Sequence, residues 1–443
     1  MNYKKNKIRF FYILDCCFSL FVIFLFYSCS VSEIQQGEVK QEDILKLENT
    51  VKNDSLNFEA LKQLSIKYVR AHQNEKAKHY LTKALYHMPD DDALLFYQGL
   101  NYEFLNDTLS AINYYSRYKD TPILSPYRKL MEGRYLLLNR ELVYKDIKNL
   151  VNEEKSLKIK NIPSNTLAVF PLNYQGSDNK YAPLSRGLSE MMSIDLAKVK
   201  KLTVLERIRL KAILDELKFG QSALVDKKTA PRVGKLLSAS LLYSGSFNIT
   251  DGSELKMDIN SWDIKKNKMG NWLDKSGNLE DIFLLEKDLV FAIIDQLGIN
   301  LTQEEKEQIQ YIPTKNINAF LEYSKGLEAE DNGRYEAAAA YYQNAVDIDP
   351  EFKTASAKSE VTSDISSMQG NKEEILGKTE ELVTTKTELP IGSTDIIQNR
   401  LDMLGGDIRS SFDQRIEKRA APQEAATTTG IEELPPPPSP PSE

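Results

Sequence analysis

The chain has 443 residues, with 57 Lys plus Arg against 64 Asp plus Glu and a formal net charge of −7. That length suits two or three domains, and the acidic balance lacks the basic footprint of a nucleic-acid binder. The three cysteines (Cys16, Cys17, Cys29) and the three histidines (His72, His79, His87) all lie within the first 87 positions. Everything beyond is therefore closed to Cys/His zinc sites, to Cys–His or Ser–His–Asp catalysis and to disulfide frameworks.

Lys4, Lys5, Lys7 and Arg9 precede an apolar run from Phe10 to Ser28 that is interrupted by Asp15. This is the layout of a secretory leader, residues 1–28, with its positive end held on the cytoplasmic side. The run ends Phe26-Tyr27-Ser28-Cys29-Ser30, which resembles a bacterial lipobox. The resemblance implies that Cys29 is acylated and becomes the new amino terminus, and that Ser30 is compatible with outer-membrane sorting. Tyr27 and Asp15 fit that pattern poorly, so an uncleaved signal anchor in the inner membrane is the alternative. Residues 29–57 read as a tether containing a short helix at Glu42–Lys52, with Ile44, Leu45 and Leu47 as its apolar contacts.

Leu61, Leu64, Tyr68, Ala77, Leu81, Ala84 and Pro89 fall at the spacing of a tetratricopeptide repeat. Adding 34 reaches Leu95, Gln98, Tyr102, Ala111, Tyr115 and Tyr118, with Pro122 one place early. Gly99 and Gly133 are also 34 apart, so a degenerate third unit is expected from Pro126, and helical repeats over 58–160. Small residues such as Ala77 and Ala111 let the second helix approach the first, while Tyr68 and Tyr102 fill the groove. Repeats of this kind bind proteins or peptides, which are the expected partners. His72, Glu75 and His79 would share one face of a continuous helix, but the turn expected near Gln73-Asn74 breaks it, so no metal is expected.

Over 164–300 the apolar patterning predicts the order βαβααβββα, an α/β sandwich. Strands are expected at Leu167–Leu172, Leu202–Leu205, Leu241–Phe247, Glu254–Ile264 and Met269–Gly277. Helices are expected at Leu184–Leu196, Glu206–Leu217, Thr229–Leu237 and Asp281–Leu297. Alternation of Glu254, Lys256, Asp258 and Asn260 against Leu255, Met257 and Ile259 predicts that one sheet face is wet or loosely covered. The segment Gly234-Lys235 is no phosphate loop, because Thr229 stands where the first glycine belongs, and no dinucleotide fingerprint is present. No cofactor is expected.

This stretch resembles the periplasmic domain of the CsgG family, the curli production assembly and transport component, and more remotely the amino-terminal domain of TolB. The resemblance rests on Ala168-Val169-Phe170-Pro171, Gly187-Leu188-Ser189-Glu190-Met191-Met192, Thr203-Val204-Leu205-Glu206-Arg207 and Ile213-Leu214-Asp215-Glu216. It continues through Gly220-Gln221-Ser222-Ala223-Leu224-Val225-Asp226, Gly234-Lys235-Leu236-Leu237 and Gly245-Ser246. Structural roles are expected for Pro171, Glu206, Arg207, Gly220, Gln221, Ser222, Asp226 and Gly245. Glu206-Arg207 would fix a helix start, and Gly220 to Ser222 would join two helices. The family also implies ring oligomers that donate β-hairpins to a membrane barrel, yet the strands here are all needed by the domain's own sheet.

Phe320, Tyr323, Gly326, Tyr335, Ala338, Tyr342, Ala345 and Pro350 form one further repeat over 312–368, with Phe352–Met368 as a capping helix. A lone unit must pack on a neighbour, and residues 164–300 or another chain are equally open as that neighbour. Residues 369–419 read as polar helices and 420–443 as a disordered Pro-rich tail. The carboxylates form no convergent pair, so no enzyme is expected. The sequence thus describes a multidomain α and α/β envelope lipoprotein that scaffolds protein partners. The competing readings are a CsgG-type outer-membrane secretion channel subunit and a signal-anchored sensor.

Overall fold

The computed structural model describes residues 40–122, 124–218 and 229–385. The leader, Cys29, the run Gly220 to Asp226 and the Pro-rich tail lie outside the described residues. The chain divides into two compact units, residues 1–142 with 360–391 and residues 143–359 with 392–443.

In the first unit, α1 (Gln41–Asn53) buries Ile44 and Val51 against α2 (Phe58–Arg70). This corrects the tether reading for those positions: Val51 faces inward and Leu45 is exposed, because positions 44 and 51 share a helix face. The first repeat pairs α2 with α3 (Asn74–His87), and the second pairs α4 (Asp92–Phe104) with α5 (Thr108–Tyr115). Both turns carry a left-handed residue, His72 with φ 52° and Asn106 with φ 60°, again 34 apart. At the next equivalent position Arg140 shows no break, and α6 runs from Pro126 to Asn152 as one helix. Arg140 and Glu141 are good helix formers, whereas Asn74, Asn106 and Asp107 favour turns and caps.

The third repeat consequently lacks a second helix of its own. A β-carbon on Gly99 would stand 2.5 Å from the ring of Tyr115 in the partner helix. One on Gly133 would stand 2.9 Å from Met368 Cγ and 3.1 Å from the Asp364 carbonyl carbon. The end of α14 (Lys353–Ser367) thus fills the place of the missing helix, and α15 (Lys372–Thr385) follows it.

The second unit is built on a mixed sheet of β1 (Thr166–Val169), β2 (Asn173–Tyr174), β3 (Thr203–Val204), β4 (Leu241–Thr250), β5 (Glu254–Asp263), β6 (Lys268–Met269) and β7 (Leu273–Asn278). The order is β3-β1-β4-β5, with β1 parallel to both neighbours, β2 on β4, and β6 and β7 both antiparallel on β5. The last expected strand is split into β6 and β7 around Gly270-Asn271. Between the strand expected to Leu172 and the helix from Leu184, where no strand is expected, lies β2, which Tyr174 holds by packing on the Phe247 ring at 4.9 Å.

One sheet face lies under α8 (Arg207–Leu217) and α9 (Ala230–Leu237), with Trp262, Leu242 and Ala168 in that core. Asn260 is 1% exposed, which corrects the wet-face expectation: only Glu254 and Lys256 stand in water at the far end of β5. The other face packs on α7 (Leu184–Ala197) and α10 (Ile282–Gln296).

After α11 (Gln303–Gln310), which starts with a Thr302–Glu305 capping box, come α12 (Ile317–Asp331) and α13 (Tyr335–Ile348). These two helices form the further repeat, and α12 packs on α7. One apolar core joins Leu188, Met192 and Phe283 to Phe320, Tyr323 and Tyr342. The repeat therefore completes its hydrophobic face on the α/β domain, the first of the two neighbours left open by the sequence. The architecture is multidomain α and α/β, with helical hairpins flanking a central sheet.

Candidate functional site

Arg207 opens α8, and its guanidinium reaches from the α/β layer into the repeat. It lies 3.3 Å from Glu190 on α7 and 3.2 Å from Glu330 on α12, pairs with Asp331, and donates to the Leu327 carbonyl at 3.1 Å. Arg186 on α7 donates to Asp331 at 3.1 Å, and Lys358 on α14 donates to Glu330 at 3.0 Å. The Tyr342 hydroxyl donates to the same Glu330 carboxylate at 2.6 Å. Burial works against the Arg207 charge, but Asp331, Glu330 and Glu190 outweigh it and raise its pKa further. Burial also opposes ionisation of Glu330, yet Lys358 and Arg207 hold its carboxyl down at about 2. For Asp331 burial prevails over the two arginines, and its pKa is raised.

A second cluster joins α7 to α10. Asp195 pairs with Lys287 and accepts from Lys198 at 3.0 Å, while Glu286 lies 3.4 Å from Lys287. The Glu286 side chain is fully buried, and both its oxygens lack a hydrogen bond. Burial, then the Asp195 charge, push its pKa up to about 8. A protonated carboxyl here reduces the charge that the core must hold.

The first unit repeats part of the first cluster. Tyr115 donates to Glu103 at 2.8 Å, and Glu103 pairs with Arg134 of α6. Arg134 also donates to the Met368 carbonyl at 3.1 Å. Gly99, Glu103 and Tyr115 have the same spacing as Gly326, Glu330 and Tyr342. In each unit the glycine admits the tyrosine ring, the tyrosine bonds the glutamate, and a cation from another helix closes the set. That spacing is the signal which sequence reasoning missed, along with Arg186, Arg134, Asp331 and Lys358.

Among the residues expected to pack the repeats, Tyr68, Ala77, Ala111, Gly326, Ala338 and Tyr342 are buried, Tyr102 is half-buried and Pro350 is exposed. Tyr68 stacks on Tyr80 at 5.2 Å and Tyr102 on Tyr114 at 5.5 Å, one pair per repeat. His72 lies 3.5 Å from Glu373, and His87 stacks on Phe58. In the α/β domain Pro171 follows β1, Glu206 is the N-cap residue of α8, and Gly245 admits the backbone of β5, with Ile259 Cα 2.8 Å from where a β-carbon would stand. Arg207 does more than start a helix. Among the described residues no His/Cys/Asp/Glu group is arranged to hold a metal, and no helix is long and apolar enough to cross a membrane.

The fold and its clusters define a mixed α/β domain bonded to the helical repeat formed by α12 and α13. Residues 143–251 match the family model described as curli production assembly/transport component CsgG, so the central domain is of the CsgG type. No curated protein matches the chain. Among solved structures, the LpoB C-terminal domain from Salmonella enterica is 14% identical with TM-score 0.23, covering 30% of this chain and 94% of that one. A tetratricopeptide repeat protein from Parabacteroides merdae is 14% identical with TM-score 0.21, covering 78% and 91%. Yeast Tom70 is 15% identical with TM-score 0.20, covering 84% and 72%.

Proposed function

We propose that this protein is a non-enzymatic cell-envelope lipoprotein whose CsgG-type domain presents tetratricopeptide repeats to protein partners. Acylation at Cys29 would hold it at the outer membrane facing the periplasm, in the assembly or secretion of surface material. The observation that supports this reading best is the continuous core and ion network between the central sheet and the repeat formed by α12 and α13. A repeat bonded in this way is a rigid extension of the domain, and rigid concave helical arrays are suited to holding partners. The polar clusters are ion pairs between packed helices, an arrangement that fixes orientation.

Fatty-acid labelling of the parent and of Cys29→Ala tests the anchor: label is expected only in the parent, and an unlabelled parent refutes acylation. Site-specific photocrosslinking from exposed Tyr86 and Leu109 on the first two repeats tests partner binding, with discrete protein adducts expected. The channel reading predicts ring particles in detergent. Against it stands the longest hairpin, β4–β5, whose apolar residues Tyr243, Phe247, Leu255, Met257 and Ile259 are spent in the domain's own core.

A further inference from the structure

The faces of α4 are accounted for one by one, and one strip remains. Gly99 meets Tyr115 of α5, and Asn101 donates to the Asn74 carbonyl of α3 at 3.1 Å. The Tyr97 hydroxyl accepts from Arg70 at 3.3 Å and the Phe104 ring meets His72 at 5.2 Å, both at the end of the first repeat's first helix. Phe96 meets Tyr127 of α6 at 5.8 Å, and Glu103 pairs with Arg134 of the same helix. Between these last two faces lie Ala93 and Leu100, which are also buried, at 3% and 0% exposure. This strip lies between the first helices of neighbouring repeats, where a tetratricopeptide array opens its groove. Helix α15 also packs against α4.

Its seating is specific. Lys372 Nζ donates to the Glu103 carbonyl at 3.1 Å and to Asn106 Oδ1 at 3.0 Å, setting a cation on the C-terminus of α4 where the helix dipole favours it. Glu373 lies 3.5 Å from His72, and Ile375, Leu376 and Thr379 are buried. These positions are three, four and seven residues beyond Lys372, one face of a helix. Among the described side chains of α15, which run to Thr379, Ile375 and Leu376 are the buried aliphatic ones, and Gly377 weakens the helix from within.

We infer that the groove of the amino-terminal repeats is a helix-binding site and that α15 is its resident occupant. The partner is an amphipathic helix with a lysine in its first turn, an aliphatic pair three and four residues later and a small residue at the seventh. Such a partner gains entry by displacing α15. This rests on the reading of the repeats as protein-binding modules and names the ligand class and the control of that site. Tethering keeps the groove filled: a linked segment has an effective concentration on the order of 1 mM, so even a weak contact saturates.

The test titrates a fluorescent peptide spanning residues 370–385 into the full chain and into a full-chain Ile375→Asp/Leu376→Asp variant, read by anisotropy. The variant is expected to bind the peptide about tenfold more tightly than the parent, because its own α15 no longer competes. Adding Leu100→Asp to the variant is expected to abolish binding. Equal binding to parent and variant overturns the inference, as does no binding to a variant that still melts cooperatively. If the double variant does not fold, Lys372→Glu, which keeps the aliphatic contacts, must show a smaller rise in the same direction or the inference fails. A failed peptide test with intact crosslinks at Tyr86 and Leu109 overturns the resident-helix inference alone. Loss of those crosslinks in every chain overturns the protein-binding reading itself.

Discussion

The ring of Phe320 lies 2.9 Å from the position a β-carbon would take on Gly187, so the repeat approaches the α/β domain closely enough that only glycine fits there. Ser324, one helical turn on from Phe320, closes over the same spot. The join between α7 and α12 is thus set by a missing side chain as much as by the ion network beside it.

Gly187→Val is expected to destabilise the protein by about 1–3 kcal/mol through overpacking. Thermal unfolding would show a lowered Tm. Adding Ser324→Ala should recover part of the loss, a non-additivity of about 0.5 kcal/mol or more. Strict additivity would mean that the two positions do not press on each other.

Arg207→Met should cost about 3–5 kcal/mol in chemical unfolding at neutral pH, because it leaves Glu190, Glu330 and Asp331 without their shared cation. The loss should shrink on acidification as those carboxylates take up protons. A cost under about 1 kcal/mol would show that water or Arg186 compensates.

Glu330 has its carboxyl held at about 2 against an ordinary 4.5. A depressed carboxylate contributes stability that is fully present above the unfolded value and is lost as pH falls through the folded one. Unfolding measured from pH 5 to 2 should therefore show falling stability, and Glu330→Gln should flatten the curve by up to about 1.4 kcal/mol per pH unit.

Glu286 works in the opposite sense. Its pKa is raised to about 8 from 4.5, so the folded state keeps a proton that the unfolded state releases between those values. Stability should fall as pH rises through that window, and Glu286→Gln should remove a slope of up to about 1.4 kcal/mol per pH unit. An unchanged slope would place the proton elsewhere, on the neighbouring Asp195–Lys287 pair.

Tyr115→Phe and Tyr342→Phe each remove a hydroxyl bonded to a largely buried glutamate and should each cost about 1–3 kcal/mol. Similar costs would confirm that the two units use one device.

Much of this fold was legible because its packing is periodic. The 34-residue spacing placed Leu61, Tyr68, Ala77 and their successors in the repeat cores, and the apolar runs, with the alternation along β5, marked the central hairpin. What escaped was whatever lacks a period. Arg207 could be placed after a strand, but its partners Glu330 and Asp331 lie more than a hundred residues away on α12. Val51, Asn260 and β2 were misread because burial there depends on which neighbour covers the face. The glycine, glutamate and tyrosine set of the two units stood in the sequence at constant spacing, yet nothing local distinguished it from ordinary core spacing.

The scarcity of Cys and His excluded whole chemistries, and the acidic balance and repeat spacing defined the class of helical array, with no coordinates required. Those are properties of composition and local period, which a chain carries whether folded or not. Only the tertiary structure decided that α14 completes the third repeat, that α12 closes onto the central domain, and which carboxylates share Arg207. Each of these is a pairing between segments distant in sequence, and such pairings are set by complementary shape and charge at contacts that exist only once the chain has folded.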